Sequence, residues 1–173
     1  MIKKLRANYS LSKVLISIFF VLAYILYSWQ SSLAVTTLTL QQSLSGQYNL
    51  WIALFSSALL GVLLLFLVPV VSNFIINRSH FYTVPRAEYG LLAQLFFALY
   101  FLICGALRII NLFTPILLVW GEILFPVIVS LGCIIWFYSL TAKLYFNDQT
   151  KPYYFRTLAI TYLILLVVAE VLL

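Results

Sequence analysis

The chain has 173 residues, 65% of them hydrophobic and 8% charged, with a mean hydropathy of +1.11, whereas soluble domains carry about 25% charge. Its surface therefore cannot face water. Composition predicts an all-α polytopic integral membrane protein, with length for one compact bundle and none for a separate soluble domain. The net charge of +6 does not point to nucleic acid, because the basic residues lie between apolar segments, where anchoring at the cytoplasmic face accounts for them.

Five apolar segments follow one another, at about 14–34, 50–73, 88–110, 115–140 and 153–173, each near the ~20 residues needed to cross the hydrocarbon core. In lipid they must be helices, since open strand edges would leave backbone groups unpaired. The start, "MIKKLR" followed by the apolar run Val14 to Tyr27 and then "SSLAV", has the shape of a signal peptide with a small-x-small site before Val35. It is read as a signal anchor that remains as the first span. The uncharged stretch "VTTLTLQQSLSGQYN" is expected to be an outer loop.

In the second span Ala53, Ser57 and Gly61 recur every four residues, a small-residue stripe that lets another helix approach closely. Packing inside the bundle is the expected use, and a partner's helix the alternative. Pro69 in this span and Pro126 in the fourth each remove a backbone donor and are expected to kink their helices. Between the second and third spans the loop "NRSHFYTVPRAEYG" holds Arg78, His80, Arg86 and Glu88. This basic and aromatic surface suits anionic lipid or a cytoplasmic partner.

Arg108 and Glu122 stand in the most apolar half of the chain. By helical rise Arg108 lies about 5 Å below the outer end of the third span, and Glu122 about 12 Å below that of the fourth. Because side chains lean toward the start of their own helix, the two can meet across this antiparallel hairpin. Glu170 on the fifth span falls at about the depth of Arg108. Intramembrane ionisable residues are functional candidates by default. Arg108, Glu122 and Glu170 are thus expected to form an outer-leaflet cluster, either a lock between helices or a proton or cation relay.

Orientation follows from the cations. Lys3, Lys4, Arg6, Lys13, Arg78, Arg86, Lys143, Lys151 and Arg156 fall on one side and only Arg108 on the other, so the positive-inside rule places the N-terminus in the cytoplasm and the C-terminus outside. Tyr27, Trp29, Tyr48 and Trp51 are expected to mark the outer interface, and Tyr82, Tyr89, Tyr138, Tyr145, Tyr153 and Tyr154 the inner one. Thr83 with Pro85, Thr114 with Pro115 and Thr150 with Pro152 read as helix starts. Cys104 and Cys133 sit at different depths, beyond disulfide reach, and read as small packing residues. The chain has a single histidine, no H-E-x-x-H and no paired aspartates, so neither a metal nor another cofactor is expected.

The basic N-terminus, the five spans, the cytoplasmic stretch "INRSHFYTVPRAEYG" and a fourth span ending "IIWFYSLTAKLYF" before a short basic loop resemble the bacterial branch of the Yip (Ypt-interacting protein) family. The "YGP"-like signature of its eukaryotic members is absent. The resemblance implies a five-span, N-in and C-out membrane adaptor without enzymatic activity, and it carries over no functional residue. The expected function is therefore a non-enzymatic adaptor or accessory subunit of the bacterial plasma membrane that binds a partner membrane protein or transporter complex. The competing class is a small transporter or ion-coupled carrier built on Arg108, Glu122 and Glu170. An intramembrane lipid enzyme and an immunity protein against membrane-active peptides stand behind these two.

Overall fold

The computed structural model of the chain describes residues 9–39, 46–78, 85–113, 120–145 and 151–171, with side chains over 10–29, 50–75, 77, 85–110, 125–145 and 151–167. All five elements are helices: α1 (Tyr9–Thr39), α2 (Gly46–Arg78), α3 (Arg86–Phe113), α4 (Trp120–Tyr145) and α5 (Lys151–Val171). No strand occurs among the described residues. Four of the helices hold stretches long and apolar enough to cross a membrane, Ser10–Trp29, Leu50–Ile75, Arg86–Ile110 and Phe125–Tyr145. A chain of this kind is a multi-pass membrane protein.

The helices outrun the apolar segments, because a helix ends where its backbone loses partners and not where its side chains turn polar. Residues 35–39 and 46–49, expected in the outer loop, are helical and leave only 40–45 between α1 and α2. At the start of α3 the carbonyl of Pro85 accepts from the Tyr89 N–H at 3.0 Å. Pro85 thus stands just ahead of the first turn, where its missing N–H costs nothing. Thr83, Thr114, Pro115 and Thr150 lie outside the described residues.

α3 is the axis of the bundle. Its span is 67% buried, against 22% for the spans of α1 and α2. α1 lies against α2 and α3, α3 also against α2 and α4, and α4 against α5, which touches α2 in turn. The backbones of α3 and α5 do not approach closely, and aromatic rings fill the gap. Tyr162 of α5 stacks on Phe96 at 5.2 Å and meets Phe97 edge-on at 5.1 Å, while Phe137 of α4 closes on both Phe96 and Tyr162. On the other side Phe101 meets Tyr24 and Tyr27 of α1, each at 5.1 Å.

Water does not drive helices together inside lipid, so shape and dispersion must do so. Each such ring pair adds about 0.5–1.5 kcal/mol beyond its buried area. The tyrosines assigned to interfacial belts differ in which way they face. Tyr27, Tyr89 and Tyr154 are buried in the core, whereas Trp51 and Tyr153 are exposed. The belt rule reads an aromatic near a span end as facing lipid, but these three face neighbouring helices. Tyr48 and Tyr82 lie outside the described side chains.

Candidate functional site

Near its C-terminal end α3 grips α1 through two residues one turn apart. A Cβ built on Gly105 would stand 3.1 Å from the backbone N of Tyr27 and 3.1 Å from the carbonyl carbon of Leu26, so the missing side chain lets the two backbones come this close without crowding. One turn on, Arg108 Nη1 donates to the Tyr27 carbonyl at 3.0 Å, and its guanidinium lies over the Tyr27 ring at 4.2 Å. A helical carbonyl has a second lone pair, so Tyr27 can accept from Arg108 without giving up its place in α1. Arg108 is thus seated on α1. The side chains of Glu122 and Glu170 lie outside the described residues.

Near the N-terminal end of α3 a directed hydrogen-bond chain crosses three helices. Thr141 Oγ1 lies 2.7 Å from the Phe137 carbonyl and 2.7 Å from the Tyr154 hydroxyl. A carbonyl only accepts, so Thr141 gives its single proton to Phe137 and must accept from Tyr154. Tyr154 therefore accepts from Tyr89, whose hydroxyl is 3.1 Å away. The order Tyr89, Tyr154, Thr141 ties α3 to α5 and α5 to α4. The hydroxyl of Tyr162 is buried with Ser72 and Tyr89 beside it, but has no partner within hydrogen-bond distance among the described residues. Ser72 and Ser130 instead bond back to their own helices.

Pro69 has no N–H to give to the carbonyl of Leu65, four residues earlier. Gln94 of α3 supplies the donor, its Nε2 standing 3.3 Å from the Leu65 oxygen. This fixes the amide's direction and leaves Gln94 Oε1 buried with no partner. Helix α2 runs through Pro69, and α4 through Pro126. Of the residues expected in the cytoplasmic contact surface, Arg86 donates to Asn77 Oδ1 of α2 at 3.0 Å, and Glu88 accepts from the Tyr145 hydroxyl of α4 at 3.3 Å. His80 and the side chain of Arg78 lie outside the described residues.

The small-residue stripe of α2 faces inward. Ala53 and Ser57 are buried, and a Cβ at Gly61 would meet the Tyr24 ring at 3.1 Å. Neither Cys104 nor Cys133 takes part in a disulfide. Among the described residues no three His, Cys, Asp or Glu side chains converge as a metal site. Sequence reasoning passed over Gly105 and Gln94. Each had a signal: Gly105 stands three residues before Arg108 and so shares its face, and Gln94 is a lone amide in an apolar run.

No known protein family, no characterised protein and no solved structure matches the chain.

Proposed function

We propose that this protein is a non-enzymatic integral membrane adaptor or accessory subunit, a five-helix bundle with its N-terminus in the cytoplasm and its C-terminus outside. Its work is to hold a partner membrane protein or transporter complex in the bacterial plasma membrane, as the resemblance to the Yip family implies. One observation carries the reading. Four polar side chains spaced along the central helix each bind a neighbouring helix: Arg86 and Gln94 reach α2, Glu88 reaches α4 and Arg108 reaches α1. Tyr89 adds α5. Groups used in this way build a rigid scaffold, and aromatic rings fill the space between them that a translocation path would need.

Exposed side chains on α2 support that helix as the face that meets the partner. Trp51, Phe55, Leu59, Phe66, Val70 and Phe74 are all exposed at helical spacing along one side, a continuous stripe of large side chains on an outer helix. The small-residue stripe on the opposite side is buried, with Gly61 against Tyr24 of α1. A photo-crosslinking amino acid placed at Phe55 or Phe66 in native membranes is expected to capture a discrete partner, while one at Leu22 on the outer face of α1 captures only lipid. Capture at Leu22 and none on α2 would move the interface. The purified protein in liposomes is expected to carry no proton or cation flux, and flux abolished by Glu122→Gln would replace the adaptor with the ion-coupled carrier.

A further inference from the structure

Where α1 and α3 begin and α2 approaches its end, a cleft of about 320 Å³ is lined by Lys13, Pro69, Asn73, Arg86, Gly90 and Gln94 among others. Lys13 and Arg86 are exposed at its mouth, and neither forms an ion pair among the described residues. Gln94 lies at its wall, 6% exposed. The Gln94 Nε2 is committed to the carbonyl freed by Pro69, so its buried Oε1 is an acceptor that asks for a donor. Two cations above a fixed acceptor define one chemistry, an anion that also carries a hydroxyl.

We propose that this cleft binds a glycerophosphoryl group, the phosphate held by Lys13 and Arg86 and a glycerol hydroxyl donating to Gln94 Oε1. Asn73 adds an amide that can serve either oxygen. By helical rise Gln94 is about 12 Å further along α3 than Arg86, and its side chain leans back toward the start of the helix. A short polyol spans the remaining distance, whereas a bare inorganic phosphate cannot serve both ends. The group comes either from the headgroup of an anionic phospholipid of the cytoplasmic leaflet or from free glycerol phosphate, and the site is independent of the adaptor reading. Gly90 keeps the cleft open: a Cβ there would meet only Pro69, at 3.9 Å, so a larger side chain enters the cleft without disturbing the helices.

The test is native mass spectrometry of the full-length, delipidated protein in detergent, titrated with phosphatidylglycerol, phosphatidylcholine or glycerol 3-phosphate. Phosphatidylglycerol is expected to bind one to one and at least about tenfold more tightly than phosphatidylcholine. Both the Lys13→Gln/Arg86→Gln double variant and Gly90→Leu should lose that preference. Binding of glycerol 3-phosphate that both variants abolish supports the site and assigns it to the free compound. Loss in the charge variant with full retention in Gly90→Leu overturns the cleft and leaves only surface attraction. Equal binding of the two lipids overturns the proposal altogether. Size-exclusion profiles check that each variant is folded, and the Gly90→Leu arm decides if the charge variant is not.

Discussion

Replacing Arg108 by alanine removes two contacts to α1, the 3.0 Å hydrogen bond to the Tyr27 carbonyl and the guanidinium 4.2 Å above the Tyr27 ring. A hydrogen bond from a charged donor contributes about 1.5–3 kcal/mol, and partial exposure of Arg108 puts this one near 1.5. A cation that itself stays partly exposed, here over the buried Tyr27 ring, contributes about 0.5–1 kcal/mol. Together they amount to about 2 kcal/mol, which for a chain of this length lowers the melting temperature by about 4–8 °C. The assay is fluorescence-detected size exclusion after heating in a mild detergent. Arg108→Lys keeps the charge but loses the flat stacking surface, so it is expected to fall between wild type and alanine. If Arg108→Ala melts within about 1 °C of wild type, the contact to α1 does not hold the bundle, and the reasoning that makes Arg108 a tie between helices fails.

Four further expectations follow from the same packing. Gly105→Ala pushes a methyl into the backbone of α1, an overpacking cost of about 1–3 kcal/mol that exceeds the roughly 1 kcal/mol gained from alanine's helix preference; Gly61→Ala meets only the Tyr24 ring and should stay within about 1 kcal/mol of wild type. Measured melting temperatures in the reverse order would mean the α1–α3 approach is looser than described. Tyr154→Phe strands the proton of Tyr89 and is expected to cost about 1–3 kcal/mol, more than Tyr89→Phe, which takes away only an incoming donor; equal losses would break the assigned direction of the chain. Gln94→Leu leaves the Leu65 carbonyl bare at about 1–3 kcal/mol, and Pro69→Ala, which restores the missing N–H, should rescue it in a double-mutant cycle. Glu122→Gln tests the hairpin lock: combined with Arg108→Ala it should add fully if the two residues act apart, and less than fully if they share a contact.

The environment and the helices were legible because they depend on composition and length alone. An apolar run near twenty residues must be helical in lipid whatever surrounds it, and no neighbour can alter that. What stayed hidden depends on which face of a helix meets which partner. Tyr27 and Trp51 both lie near the ends of apolar runs, yet Tyr27 is buried under Arg108 and Trp51 is exposed. Nearly every face of these helices is apolar, so periodicity cannot separate the side toward protein from the side toward lipid. Arg108 was conspicuous by its charge. Its seat on α1 was not, because α1 lies beside α3 through a contact about eighty residues away in the chain.

Pro69 and Gln94 show how a local rule becomes informative once the fold supplies the neighbour. Taken alone, Pro69 promises a freed carbonyl and a bend. Beside α3 it explains why an amide sits at position 94: in lipid an unpaired carbonyl is costly, and a side chain with a spare N–H is the direct remedy. The remedy has a consequence, since an amide that donates in a fixed direction must present its oxygen the opposite way. That oxygen is buried in the wall of the cleft that carries Lys13 and Arg86 at its mouth. The same proline that leaves α2 in need of support from α3 thus orients the acceptor on which the proposed preference of the cleft for a ligand with a hydroxyl rests, which is why the Pro69→Ala background is also the place to look for a loss of that preference.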